Sequence, residues 1–159
     1  MAKASITPDR DAVVSEVEIA APPDRVFEAL INREQVAHWS NSEAYQLVHW
    51  ELDAHIGGKW RSTSREKTTS KVFDHWGEIV EVDRPRSLAY TWFANWHSDQ
   101  SHPTMVRWEL TPTAAGTRLK VTHSGLAALP GACEGYSQGW PGLLEAVKTV
   151  VEKGQGASA

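Results

Sequence analysis

Hydrophobic positions along this chain keep two different periods, and the switches between them mark the elements. From Ala12 to Ala20 they alternate, with Val13, Val17 and Ile19 on one face and Val14, Glu16 and Glu18 on the other. That is the period-two signature of a half-buried strand. Pro22 and Pro23 stop it, Asp24 is placed to cap or charge a first turn, and Val26, Phe27, Leu30 and Ile31 recur at helical spacing. APPDRVFEALIN is therefore predicted to be a helix. REQVAHWS predicts a second short helix that ends near Trp39, before the polar SNSEA.

Between Leu47 and His123 the apolar residues fall in short alternating runs separated by Gly, Pro, Asn and Asp. Strands are predicted near 47–53, 58–66, 70–82, 87–96, 104–112 and 116–123, with breaks at IGG, EKTT, DRPRS, NWHSDQSHP and TPTAAG. Connections this short imply antiparallel pairing and a meandering, curved sheet. Leu88, Tyr90, Trp92 and Ala94 share one face, as do Val106, Trp108 and Leu110, and Leu119, Val121 and His123. Those faces are expected to be concave. The phase is open around Trp76, where Trp76, Val80 and Val82 oppose His75, Gly77 and Ile79. Trp60, between Lys59 and Arg61, is expected to point inward.

The last periodic segment is helical, over about 134–153: Tyr136, Trp140, Leu143, Leu144, Val147, Val150 and Val151 form a stripe, with Glu145, Lys148 and Glu152 opposite. Its beginning contains Gly139, Pro141 and Gly142, which are poor helix-interior residues. Pro141 either sits in a first turn or marks a kink. Strand, two short helices, six strands and one long helix make an α+β plan in which a single sheet covers the long helix. The organisation expected is a frayed N-terminus over 1–11, one domain over 12–153 and a frayed tail over 154–159.

Composition narrows the function classes. At 159 residues and 41% hydrophobic content the chain is the size of one globular domain with its own core. A net charge of −4 with scattered Lys and Arg argues against nucleic acid. The start lacks an apolar leader and no run approaches the roughly 18 apolar residues of a span, so no membrane insertion is expected and the cytoplasm is the default. The single Cys133 excludes an internal disulfide framework. The unusual feature is eight Trp among 14 aromatic residues. Rings that carry an N–H need a partner in a dry core, so the set reads either as core or as the lining of a cavity for a flat hydrophobic ligand.

Candidate chemistry is sparse. None of His38, His49, His55, His75, His97, His102 and His123 belongs to a compact ligand pair, and His97 and His102 fall in the loop after Trp96; neither metal nor cofactor is expected. Ser124 is not in a nucleophile elbow, and GGK at 57–59 is not a phosphate loop. His123, then Tyr90, are the candidates for acid/base work, against a hydrogen-bonded structural role.

Several pieces together resemble a known family: the opening strand with APPDRVFEAL, HW at 38 and 39, IGGKWR at 56–61, WGEIVEVDRPRSLAYTW at 76–92, and HSGL at 123–126 followed by GYSQGWPGLLEAVKTVVE. They are similar to the START-like (SRPBCC, helix-grip) superfamily, in the branch of the activator of heat-shock-protein-90 ATPase homologues. The resemblance implies a bent antiparallel sheet around the C-terminal helix with a hydrophobic cavity between them. Members bind lipids, sterols, plant hormones or polyketides, and a few catalyse cyclisation, dehydration or hydrolysis there. The chaperone-activating members act by protein contact, and carry an N-terminal module that this chain does not match.

The reading that follows is a helix-grip domain binding a small hydrophobic or aromatic molecule, lipid-like or polyketide-like, against Trp39, Trp60, Tyr90, Trp92, Trp108, His123, Trp140, Leu144 and Val147. The alternatives are a cyclase or dehydratase using His123 or Tyr90, and a chaperone-interacting stress module. A homodimer could pair through an exposed sheet edge.

Overall fold

The structure is a computed structural model that describes residues 2–157, with side chains described to residue 154. Its elements are β1 (Lys3–Ile6), β2 (Val13–Ile19), α1 (Pro23–Ile31), α2 (Arg33–Ser40), β3 (Tyr45–Leu52), β4 (Lys59–Glu66), β5 (Val72–Asp83), β6 (Ser87–Ala94), β7 (Thr104–Thr113), β8 (Gly116–Ser124) and α3 (Ala132–Ala157). The strands form one antiparallel sheet in the order β1-β2-β8-β7-β6-β5-β4-β3. The α+β helix-grip plan is therefore the observed one, with a strand more than the alternation indicated.

The sheet's inward faces follow from alternation. Along β2, Val13, Ser15, Val17 and Ile19 are buried; along β8, Thr117, Leu119, Val121 and His123 are. α1 starts with Pro23 at its first turn, where a missing N–H costs nothing, and buries Val26, Phe27, Ala29 and Leu30. Asp24 makes no cap; its carboxylate accepts from Arg84, which also pairs with Glu28 and lies over the Phe27 ring. Asn32 ends α1 and caps α2, its Oδ1 accepting from the Gln35 N–H at 3.2 Å. That shared residue fixes the turn between the two helices.

The segment expected to fray at the N-terminus instead supplies β1, which pairs with β2 from Lys3↔Glu16 to Ile6↔Val13. Its place is secured by the Ser15 hydroxyl donating to the Lys3 carbonyl at 2.7 Å and by the Ala2 N–H donating to Glu145. At the other end α3 continues through residues expected to fray, as far as Ala157; residues 158 and 159 lie outside the described part. Pro141 is well inside α3, so it is not a first-turn residue.

α3 packs against β1, β2, β8, α1 and α2, one half of the concave side. Leu144, Val147 and Val151 seal that half and are almost fully buried. The other half of the sheet, β3 to β6, curves away from the helix.

Candidate functional site

Between α3 and the β3–β6 half of the sheet lies a cavity of about 640 Å³. Its walls are built element by element. β4 contributes Trp60, Ser62 and Ser64 at alternate positions; β5 contributes Phe73 and His75; β6 contributes Tyr90 and Trp92; β7 contributes Trp108. β3 adds Tyr45 and Trp50, the end of α2 adds Trp39, and the turn after β6 adds Trp96. From α3 come Gly135, Tyr136, Gly139, Trp140, Gly142, Leu143 and Ala146.

The small residues of α3 recur at helical spacing on the side that faces the cavity. A Cβ built on Gly135, Gly139 or Gly142 would meet nothing within 4 Å. These glycines are not required by close packing or by backbone conformation. They remove side chains from the helix face and leave space in their place.

Gly77 acts in the opposite way. A Cβ there would lie 1.9 Å from the Thr91 carbonyl oxygen and 2.7 Å from Trp60 Nε1. Without it, the Trp60 N–H reaches across to donate to the Thr91 carbonyl at 2.8 Å. The other cavity indoles are tied off in the same manner: Trp39 to the Ala29 carbonyl, Trp92 to the Tyr136 hydroxyl, Trp96 to His75 Nε2, Trp108 to the Tyr90 hydroxyl and Trp140 to His123 Nδ1. Trp50 is the exception, since its buried N–H has no partner among the described residues. The tied rings also touch each other, with Trp60 centred 4.8 Å from Tyr90 and 5.0 Å from Trp92, and Trp140 5.6 Å from Trp108. Their orientation is thereby fixed by contacts within the protein.

Of the nine residues expected to hold a ligand, six line this cavity: Trp39, Trp60, Tyr90, Trp92, Trp108 and Trp140. His123, Leu144 and Val147 are fully buried behind the wall and are not part of the cavity lining. His123 is held at both nitrogens. The Thr104 hydroxyl gives its proton to the Trp92 carbonyl at 2.9 Å, so it accepts from His123 Nε2 at 2.8 Å, while Nδ1 accepts from Trp140. The ring is thus neutral, with its proton on Nε2 and no lone pair free. Burial, reinforced by His97 and His75, holds its pKa well below the ordinary value. Tyr90 does line the cavity. Burial raises its pKa, outweighing the Trp108 hydrogen bond, so it remains a phenol with a proton to donate.

Residues that alternation did not single out complete the site. His75 accepts from Trp96 at Nε2, which leaves its proton on Nδ1. Burial first, then His97, lowers its pKa to about 4 against the opposing pull of Asp74. His97, expected in an open loop, is buried and hydrogen-bonded to the Tyr136 hydroxyl at 2.7 Å. Tyr136 is likewise held as a phenol by burial. Trp76, whose phase was open, is on the convex face stacked on Phe93. Trp50 was hidden by a bulge between Leu47 and His49, which puts Leu47 and Trp50 on one face despite their odd spacing. A second bulge, between Ile79 and Glu81, resolves the β5 ambiguity: Ile79 is buried and Val80 exposed.

Among the described residues no Asp, Glu, Lys or Arg lines the cavity. Among the described residues no group of three His, Cys, Asp or Glu is arranged to hold a metal ion, and no helix is long and apolar enough to cross a membrane.

A curved antiparallel sheet that grips one long C-terminal helix, with a space left along part of it, defines a START-like helix-grip domain. Residues 20–152 match the family model described as activator of Hsp90 ATPase homolog 1-like protein, and the chain belongs to that family. Solved structures agree on the fold. A protein of Rhodobacter sphaeroides superposes with a TM-score of 0.79 at 16% identity, covering 99% of each chain. One of Chromobacterium violaceum gives 0.78 at 22% identity, over 89% of this chain and 98% of the other. An AHSA1-like protein of Aeromonas hydrophila gives 0.75 at 21% identity, over 91% and 94% respectively. Among curated proteins none is similar enough to match.

Proposed function

We propose that this protein binds a small hydrophobic or aromatic molecule in the space between β3–β6 and α3. The observation that carries the reading is the helix face stripped to Gly135, Gly139, Gly142 and Ala146 opposite a wall of tied-off indoles. A helix pays about 1 kcal/mol for each interior glycine relative to alanine. Three of them facing open space make sense where the space has an occupant. A volume of about 640 Å³ is in the ordinary range for small-molecule sites. Burying on the order of 200 Å² of apolar ligand surface would contribute about 5 kcal/mol before ordering costs.

The cyclase or dehydratase alternative loses its first base, because His123 has no free nitrogen and does not reach the cavity. A chaperone-contact role draws on the family resemblance alone, and no feature of the cavity supports it.

Native mass spectrometry of protein purified from its own host tests the proposal. A small molecule that stays bound under native conditions and leaves on denaturation is expected, with occupancy lost in Gly139→Leu, which fills the space from the helix side. Empty wild-type protein across independent preparations, indistinguishable from Gly139→Leu, would remove the binding reading.

A further inference from the structure

Three side chains form a straight row across the sheet on the cavity side. Trp50 of β3 is directly opposite Ser62 of β4, and Ser62 is directly opposite His75 of β5. All three line the cavity. Adjacent strands are about 4.8 Å apart, so the row spans roughly 10 Å. Ser64, two positions along β4, extends it on the same face.

The hydrogen-bonding capacity of this row is unused. The Trp50 N–H is the buried side-chain polar group left without a partner among the described residues. His75 spends Nε2 on Trp96 and keeps an N–H at Nδ1 with no protein acceptor among the described residues. Ser62 makes no side-chain hydrogen bond to the protein there either. An indole N–H and a Nδ1–H can only donate, whereas a serine hydroxyl can do both. The row therefore has more donors than acceptors. Elsewhere the indole N–H groups are already bonded, and the wall presents ring faces apart from the Tyr90 hydroxyl, which accepts from Trp108 and keeps its own proton, and Ser40, Asn41 and Ser42 at the end of α2.

Charge sets the second constraint. Among the described residues no cationic side chain lines the cavity, so a carboxylate or phosphate placed inside would be desolvated without a counter-ion. Nor does any carboxylate line it to receive an ammonium group.

We propose that the Trp50–Ser62–His75 row is the polar recognition strip of this cavity, and that it selects an uncharged, flat aromatic ligand whose oxygen acceptors, as in a conjugated ring ketone, lie along the row. The inference rests on the binding reading above and specifies its ligand class. The rings of Trp60, Tyr90 and Trp92 cover the faces of the ligand, and the row reads one edge.

Three probes of one ring size separate the terms: xanthone, with a ring carbonyl; xanthene, which lacks it; and xanthene-9-carboxylate, which is charged. Their affinities are measured by quenching of intrinsic tryptophan emission. Wild-type protein is expected to favour xanthone over xanthene by about tenfold, the scale of a recovered buried hydrogen bond, and to bind the carboxylate most weakly. Trp50→Phe and Ser62→Ala should each bring the xanthone-to-xanthene ratio down to about two- or threefold. Both are small changes, and each tests the row independently of the other. Equal binding of xanthone and xanthene, a ratio unmoved in both variants, or tightest binding of the carboxylate overturns the recognition strip while leaving hydrophobic binding in place. No binding of any of the three overturns both.

Discussion

At the scale of single residues, the position most sensitive to change is Gly77, which carries no chemistry at all. Its missing side chain is what lets the Trp60 indole cross to Thr91. Gly77→Ala would place a carbon 1.9 Å from a backbone oxygen that belongs to the neighbouring strand. A loss of about 3 kcal/mol is expected from overpacking. Urea unfolding checks it, and a loss below about 1 kcal/mol would mean that β5 and β6 separate more easily than their pairing indicates. The same scale shows what could be read from residue types. The surplus of tryptophan pointed to the cavity, and six of the nine residues chosen, four by strand alternation and two by their place on helices, line it. Trp50 and His75 were not chosen, because bulges in β3 and β5 shift the alternation on which the choice rested. A bulge depends on backbone hydrogen bonding between strands, and no residue of VHWE or EIVE announces one.

At the scale of elements, α3 combines two kinds of helix. From Leu143 onward its stripe of Leu144, Val147 and Val151 packs into the core, as the 3.6-residue spacing indicated. Its first half contains Gly135, Gly139, Pro141 and Gly142 and is nonetheless helical from Ala132. Propensity alone would have ended the helix at Pro141, and tertiary contacts override it: Trp140 and Tyr136 are anchored by His123, Trp92 and His97. Gly139→Ala and Gly142→Ala meet no obstruction, so each should stabilise the protein by about 0.5–1 kcal/mol in chemical denaturation. The same substitutions should weaken ligand retention by narrowing the cavity. Stabilisation without any effect on retention would show that the ligand does not lie along this helix. β1 illustrates the reverse failure of sequence reading. KASI is too short and too mixed to display a period, and its order comes from the hairpin with β2.

For the molecule as a whole, the buried His97 and His123 and the partly buried His75 predict how stability depends on pH. His75, His123 and His97 all have pKa values lowered by burial, so the folded protein leaves them unprotonated. The unfolded chain protonates each below about pH 6.5. The unfolded state then binds more protons than the folded state, and stability must fall as the pH is lowered through that range. For His75 the loss runs from about 6.5 down to its folded value of about 4. That window lies above the one in which Asp24 and Asp74, with lowered pKa values, lose their ion pairs. Melting temperatures between pH 7.5 and 4.5 should therefore decline well before the carboxylates titrate. His75→Phe should reduce the slope, since it removes one of the titrating rings, and the N–H of the partly exposed Trp96 then turns to water. A flat profile in the wild type would contradict the neutral, buried state of these rings. The fold at this scale was legible because alternation and helical spacing are properties of long segments. The lining of the cavity was not, since it depends on which side chains two bulged strands, their neighbours and one helix bring together.

The bare face of α3 has an evolutionary and practical corollary. Across most of a protein, substitutions that raise the melting temperature say little about where its function resides. Along this helix, if the binding proposal holds, they should do so directly: the positions most easily improved are those where added atoms meet nothing in the fold and take up the space proposed for the ligand. A saturation screen scored only for thermal stability, with no ligand in hand, would then trace the outline of the binding wall.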